Sequence, residues 1–289
     1  MIPLTRERDG NVIQASFFGD VPVERVRALM REVRDKLVSG DQGKLRFSSS
    51  RWSGVKPQLM RETRDKCAYC ESHATAVSFG DVEHYRPKSV YWWLAYVYDN
   101  YLASCQICNQ AYKSDNFEIS GTPMPAPALS GQTTDAEITQ MAASAIPDPL
   151  IAAQVRDFEV AHRRERPLNI NPYIDDPTRY FAWEAIAGTG EVWLINKPRV
   201  RYARMVVDAC ERIYGLNRPE LLERRFEKYK IYMGSVLVVQ AAGIPAALKT
   251  THEKLIASYQ KEESEFSGMI RYFEDQRAAG AELPVPDFD

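Results

Sequence analysis

Four of the five cysteines form two pairs with the same spacing. The pairs are Cys67-Ala-Tyr-Cys70 and Cys105-Gln-Ile-Cys108, and 34 residues separate them. Two thiolates in a C-x-x-C segment can turn towards one ion, and two such segments complete the tetrahedral sulfur site that zinc favours. A thioredoxin-like redox pair is the alternative, but it needs only one C-x-x-C motif. The spacing therefore predicts a structural zinc site.

The region between and just after these pairs carries residues suited to phosphodiester hydrolysis. An imidazole can deprotonate water near neutral pH, and a divalent cation held by oxygen ligands can meet the developing charge. Glu83 directly precedes His84. Consecutive side chains of a strand point to opposite faces, so these two can share a site only where the strand bends or ends. Pro87, three residues after His84, is consistent with such an end.

Asn109 is the candidate for a second oxygen ligand of that cation. It directly follows Cys108, so a zinc ion bound there would hold Asn109 rigidly. Asp81 is two residues upstream of Glu83 and is a further candidate, with a structural or solvent-facing role as the favoured interpretation.

This constellation resembles the HNH endonucleases, whose ββα-metal motif is a β-hairpin followed by a helix. The match runs from Glu83-His84 through Asn100 in DNYL to Asn109 in the C-x-x-C-N-x-x-x-K segment that ends at Lys113. The resemblance implies that His84 is the general base and that Asn100 braces the hairpin. It also implies that Glu83 and Asn109 hold a catalytic Mg²⁺ or Mn²⁺. Asparagine at the last HNH position is a departure towards a weaker ligand than histidine.

The resemblance extends beyond the motif to the PtuB-like HNH nuclease component of Septu and retron anti-phage systems. It is carried by VEHYRPKS and the aromatic run YWWLAY, and later by RPLNINPYIDDP and YGLNR. It implies that the four cysteines hold a zinc ion that staples the motif. It also implies an ABC-type ATPase partner protein, which would supply nucleic-acid affinity that a net charge of −2 does not.

Basic and aromatic residues flank the motif. Arg86, Lys88 and Lys113 are candidates for contacts with nucleic-acid phosphates, and Lys113 has the alternative of bonding to the hairpin. The aromatic residues in 91–98 are expected in the core or in an interface, with stacking on bases as the alternative. Residues 44–66 contain seven basic residues against two acids, for which solvated helix faces are the favoured interpretation and a basic surface the alternative.

The remaining candidate residues are expected to be structural. Cys210 falls in a helical pattern, which predicts an ordinary buried thiol. His73 is expected to face solvent, with a spare zinc ligand as the alternative. His162 lies among three arginines and predicts a salt-bridged surface, with phosphate contact as the alternative. His252 is expected to pack on its helix.

The elements that must position these residues follow from apolar spacing. Helices are expected over residues 21–37, 56–66, 199–214 and 246–277, the last with a heptad-like seam. Another helix should begin near Asn217, with Asn217 as its cap, Pro219 in the first turn and Glu220 completing a capping box. Short strands and turns are expected between residues 168 and 193.

The predicted fold class is α+β, with a zinc-stapled ββα-metal HNH core in a mainly helical protein. We expect a basic helical segment at 1–66, the nuclease core at 67–118, a linker or insertion at 119–149 and a helical region at 150–289. Neither an apolar run of membrane-spanning length nor a secretory signal is found in the sequence, so a cytoplasmic protein without membrane contact is expected.

The predicted function is metal-dependent hydrolysis of DNA or RNA in an anti-phage defence complex. A non-catalytic zinc-knuckle module that binds nucleic acid or protein is the alternative. It explains the cysteines and the basic residues, but not the positions of Glu83, His84, Asn100 and Asn109. A degenerate HNH protein that serves as a scaffold is a third interpretation.

Overall fold

The computed structural model describes residues 1–74, 80–198 and 200–288, and it combines helices with two small sheets. In chain order the main elements are α1 (Asp20–Ser39), α2 (Lys56–Glu62), β1 (Asp81–His84), β2 (Tyr101–Ser104), a π-helix (Ile107–Lys113), α3 (Asp135–Ala145), α4 (Ala152–Glu165), β3 (Phe181–Ile186), β4 (Glu191–Asn196), α5 (Arg201–Tyr214), α6 (Pro219–Gln240), α7 (Ala246–Tyr259) and α8 (Ser267–Ala278). The predicted α+β class is confirmed.

Both sheets are antiparallel pairs of strands. In the first, Glu83 of β1 lies opposite Leu102 of β2, and His84 lies opposite Tyr101. The strand β1 ends at His84, which is the condition under which Glu83 and His84 can reach one site. The π-helix follows β2 after two residues, so a hairpin and a short helix occur in the expected order. The second sheet pairs β3 with β4 and confirms the strands expected in that region.

The helix predicted over residues 56–66 is shorter than expected. It ends at Glu62, and Arg64 and Asp65 have positive φ angles of 55° and 57°. This left-handed turn redirects the chain into the first cysteine pair, where the Cys67 amide donates to the Ser72 carbonyl at 2.9 Å. Glycine is the residue that usually adopts a positive φ angle, and neither Arg64 nor Asp65 is glycine. The sequence therefore contains no local signal that the helix ends here.

The single helix predicted over residues 246–277 is two helices, α7 and α8. Phe266 separates them with φ 54° and is 1% exposed. The turn between the helices contacts the residues that flank the first cysteine pair. Lys66 Nζ donates to the Ser264 carbonyl at 2.9 Å, and the His73 amide donates to Glu265 Oε1 at 2.7 Å. The turn held by these contacts interrupts the apolar seam, so the prediction of one continuous helix with a heptad-like seam was wrong.

The predicted cap of the helix near Asn217 was also wrong. Arg218 is the N-cap residue, no side chain caps the helix, and Pro219 is at its first position. The amide of Asn217 instead makes two hydrogen bonds with the backbone of Leu194 in β4, at 2.8 and 2.9 Å. The helix expected over residues 199–214 is present as α5, and Arg199 lies outside the described residues.

The region predicted as a linker or insertion contains α3. Thr134 and Glu137 form a capping box at its start, and Ile138 and Ala142 are fully buried. They pack in a core with α1 and with aromatic residues that follow β1. The four domain boundaries stay predictions. Within the described residues, none of the helices combines the length and apolar character needed to cross a lipid bilayer.

Candidate functional site

The four cysteines of the two pairs meet in one cluster. Cys67 and Cys70 belong to the turn after α2, Cys105 lies between β2 and the π-helix, and Cys108 is in the first turn of the π-helix. Their sulfur atoms all lie within 4.8 Å of one another, whereas a tetrahedral zinc site with Zn–S bonds of about 2.3 Å has S–S edges of about 3.8 Å. The sulfur donors therefore fit a metal such as zinc, and the predicted clustering is confirmed.

Arg218 is a neighbour of this cluster that the sequence analysis missed. Its Nη1 lies 3.5 Å from Cys108 Sγ and also donates to the Gly215 carbonyl at 3.0 Å. The guanidinium places a positive charge beside sulfur ligands that are negative when they bind a metal. Its position, 110 residues after Cys108, gave no local signal.

His84 lies at the end of β1 with its ring fixed between two aromatic rings. The imidazole makes edge contacts with Trp52 and Tyr101, at centroid distances of 4.9 and 5.2 Å. Its Nε2 lies 3.0 Å from the Ala95 carbonyl. Because a carbonyl only accepts, Nε2 carries the proton of the neutral ring and Nδ1 keeps the lone pair.

Burial keeps this imidazole neutral. His84 is 6% exposed, and loss of solvation, with Lys88 nearby, lowers its pKa to about 3. At neutral pH the ring is therefore unprotonated and can accept a proton at Nδ1.

Glu83 faces the π-helix. The Lys113 ammonium lies 2.5 Å from Glu83 Oε1, and both side chains are nearly inaccessible to solvent. Burial raises the pKa of Glu83 above its ordinary value, against the opposing effect of Lys113. Lys113 also donates to the His84 carbonyl at 2.9 Å, so it ties the π-helix to the end of β1.

Asn109 completes the set of oxygen donors. Its Nδ2 donates to Asp81 Oδ2 at 3.1 Å, and Gln110 donates to the same oxygen at 2.9 Å. The amide oxygen of Asn109 is therefore the atom available to a cation. Asp81 orients this amide, in agreement with the structural role favoured for it.

Glu83, His84 and Asn109 line one polar cleft of about 330 Å³. Its walls include Trp52, Glu83, His84, Lys88 and Asn109. The structure thus brings the predicted base and both predicted cation ligands to one cavity. The donors are carboxylate and amide oxygens, which suit a hard cation such as Mg²⁺. Their catalytic roles stay predictions.

Asn100 is fully buried behind the cleft. Its side chain exchanges two hydrogen bonds with the Arg86 backbone, at 2.8 and 3.0 Å, and donates to the Leu94 carbonyl at 3.2 Å. It thereby fixes both ends of the loop that joins β1 to β2. The Ala95 carbonyl that holds His84 directly follows Leu94. These bonds are those expected of a bracing residue.

Arg86 faces the interior. It is 0% exposed, and its guanidinium donates to Glu165 Oε2 at 2.8 Å and to His162 Nδ1 at 3.1 Å. The charges of Arg86 and Lys113 do not reach the surface, so this structure does not support the expected phosphate contacts. The alternative for Lys113, a bond to the hairpin, agrees with its contacts. Lys88 is half-buried at the cleft.

The other predictions have mixed outcomes. His162 is 1% exposed and pairs with Asp175, so its expected place on the surface was wrong, whereas the three neighbouring arginines are exposed and Arg163 pairs with Glu159. Cys210 is fully buried and its pKa is raised to about 12, as expected for an inert thiol. His73 is half-buried and is not part of the sulfur cluster. His252 is half-buried on α7. Four of the five aromatic residues in 91–98 are buried, which confirms the core interpretation.

Trp52 is a cleft residue that the sequence analysis left unassigned. It comes from the connection between α1 and α2, more than 30 residues before His84. A lone tryptophan in a Ser-rich stretch gives no signal of its partner. Only the fold brings its ring against the imidazole.

Comparison with known proteins gives one relative. The chain is 28% identical over 238 residues to the Septu protein PtuB of Bacillus mycoides (strain KBAB4). The match covers 78% of this chain and 66% of that protein, so the chain spans just under two thirds of the relative's length. The predicted resemblance to a Septu protein is confirmed. No protein-family model matches the chain. No solved structure matches it.

Proposed function

We propose that this chain is a metal-dependent HNH nuclease that hydrolyses phosphodiester bonds of nucleic acid. The observation that carries this proposal is the position of His84. Its ring is fixed through Nε2 on the Ala95 carbonyl and lines the same cleft as Glu83 and Asn109. A histidine that only stabilised the fold would have no need of oxygen donors in the same cavity.

In the proposed reaction, His84 Nδ1 takes the proton of the attacking water. Glu83 and Asn109 would hold Mg²⁺ or Mn²⁺, which when bound supplies positive charge for the phosphoryl and leaving oxygens. Lys88, half-buried at the cleft, contacts the phosphate. Lys113, Arg86 and Asn100 keep the hairpin and its loop in place. We expect products with 5′-phosphate and 3′-hydroxyl ends.

The similarity to a Septu protein supports a role in Septu anti-phage defence. We propose that the chain is the nuclease of such a system and acts with an ABC-type ATPase. The partner follows from the family resemblance. Co-purification of the chain with an ABC-type ATPase encoded beside it, with nuclease activity in the complex, would test this partnership.

A cleavage assay with a His84→Ala variant tests the proposed reaction. Wild type and variant are incubated with duplex DNA, single-stranded DNA and structured RNA in Mg²⁺ or Mn²⁺, with and without the proposed ABC-type ATPase partner. Removal of a general base should lower the rate by about 10²–10⁴-fold. The control is His252→Ala, which removes a histidine of α7. Equal cleavage by wild type and His84→Ala would contradict the assignment, and absence of cleavage under every condition would favour the non-catalytic binding module.

Zinc binding is tested with Cys105→Ser, and Cys210→Ser is its matched control because Cys210 lies outside the cluster. We propose that the four thiolates hold one structural zinc ion, whose binding free energy contributes to folding. Cys105→Ser should lose zinc and become insoluble or melt at a much lower temperature. Cys210→Ser should keep one zinc ion per chain. A Cys105→Ser protein that keeps its melting temperature would contradict a structural ion.

A further inference from the structure

The basic segment, residues 44–56, has no assigned role in the proposed reaction beyond the contact of Trp52 with His84. It contains Lys44, Arg46, Arg51 and Lys56 and no acidic residue. The first three are exposed and Lys56 is half-buried. Within the described part of the chain, none of these four side chains forms an ion pair. The half-buried Arg34 of the adjacent α1 differs, because it pairs with Asp135 at 2.7 Å.

The basic segment is held against the body of the protein by its backbone. The Ser48 amide donates to the Tyr96 hydroxyl at 3.3 Å, and Arg25 Nη1 donates to the Arg51 carbonyl at 2.9 Å. The backbone is therefore anchored, and the Arg51 guanidinium lies 5.4 Å from the centre of the Tyr96 ring, while the cationic groups remain without an ion pair among the described residues. The hydroxyls of residues 48–50 are on the same exposed stretch.

Trp52 connects the basic segment to the cleft. Its ring lies 4.9 Å from the His84 imidazole, and the Lys88 ammonium lies 5.7 Å from the centre of the same ring. Trp52 and Lys88 both line the cleft. A chain of phosphates that follows the basic segment would therefore arrive at the proposed base.

We propose that the basic segment, together with Lys88, is the surface that binds the phosphate backbone of the nucleic acid and leads it into the cleft. Arginine, lysine and serine hydroxyl groups are the usual donors to phosphate oxygens. Because these cations form no ion pair within the described residues, they lose none when they bind phosphate, and their binding releases counterions from the nucleic acid. This explains how a chain with a net charge of −2 can still present a local anion-binding surface.

This inference rests on the proposed nuclease function and is tested separately from it by binding. The full chain carrying His84→Ala, which should not cut, is titrated without added divalent cation into labelled DNA and RNA strands and a duplex of about 25 nucleotides, at about 50–200 mM salt. Arg46→Gln with Arg51→Gln is compared with Lys249→Gln with Lys254→Gln. The control lysines are exposed on α7, which packs on α6.

Loss of two phosphate contacts should weaken binding about tenfold at low salt and reduce the slope of log K against log salt by about 1.4 to 1.8. The α7 control should bind like its parent. The preferred probe then identifies DNA or RNA, single strand or duplex.

Equal effects of both double variants, or no binding by the parent at low salt, would overturn the inference. So would an unchanged affinity for nucleic acid with loss of ATPase binding, which would make the segment a protein interface. Binding as expected without cleavage in Mg²⁺ by the wild type would contradict the proposed nuclease and leave the docking surface intact.

Discussion

His84 and His162 are both buried imidazoles near the hairpin, and they differ in how many ring nitrogens are occupied. His162 Nδ1 accepts from the Arg86 guanidinium at 3.1 Å, and its Nε2 faces Asp175 at 3.1 Å. Among the residues that the structure describes, His84 has a hydrogen-bond partner at Nε2 alone, and it lines the cleft. In His162 the Nδ1 lone pair already accepts from the buried Arg86, whereas His84 is oriented through Nε2 and lines the cleft.

The surroundings of the two rings differ in the same way. Around His162 the charges are paired within the protein, with Arg86 and Glu165 fully buried against each other. The Tyr91 hydroxyl and the Met124 amide occupy the other Glu165 oxygen, at 2.6 and 3.1 Å. We call these residues the polar cluster. The cleft instead contains oxygen donors that face a cavity, which is where a substrate and a cation would enter.

The largest effect is expected from breaking the polar cluster. Glu165→Gln removes the carboxylate that neutralises the buried Arg86 and should lower the free energy of unfolding by about 3–5 kcal/mol. The control is Glu159→Gln on the same helix, whose half-exposed pair with Arg163 should contribute about 1 kcal/mol or less. Urea titrations of both variants measure the difference. Similar losses would show that the polar cluster does not differ energetically from a surface pair.

Some parts of this comparison follow from sequence and others do not. The cysteine cluster, the Glu83-His84 pair and Asn109 are recognisable because each motif has a short internal spacing: C-x-x-C within each pair, Glu83 next to His84, and Asn109 next to Cys108. The burial of Arg86 was not predictable, because its partner Glu165 is 79 residues away and arginine is ordinarily exposed. The turn between α7 and α8 contains no Gly or Pro. Contacts with the residues that flank the first cysteine pair, and not local propensity, therefore determine where the two helices separate.

An intermediate effect on stability is expected for Asn100, which stabilises the fold and also holds the loop that carries the Ala95 carbonyl. Asn100→Ala leaves the Arg86 amide and two carbonyls without their buried partner and should lower the free energy of unfolding by about 1–3 kcal/mol. Cleavage should fall by more than this stability loss accounts for, because the loop that carries the Ala95 carbonyl is no longer fixed.

The control for Asn100→Ala is Asn116→Ala, an exposed asparagine with one hydrogen bond to the Tyr112 carbonyl. It should change stability and cleavage little. Denaturant titration and initial cleavage rates, taken under conditions where both variants are fully folded, separate the two contributions. Full cleavage by folded Asn100→Ala would mean that the loop holds His84 without this brace.

The smallest effect concerns the pH dependence of stability that the buried, neutral His84 should cause. Its pKa is about 3 in the folded chain and about 6.5 when unfolded, so between these values the unfolded state binds more protons. The stability associated with the neutral ring is therefore present above pH 6.5 and is lost as the pH falls towards 3. Between pH 7 and pH 5.5 this loss should be about 1 kcal/mol, and His84→Gln should lack it.

Urea titrations of both proteins across this range, where acid effects on the cysteine cluster are common to both, give the difference. Identical pH dependence would mean that burial does not hold the His84 ring neutral in the folded chain.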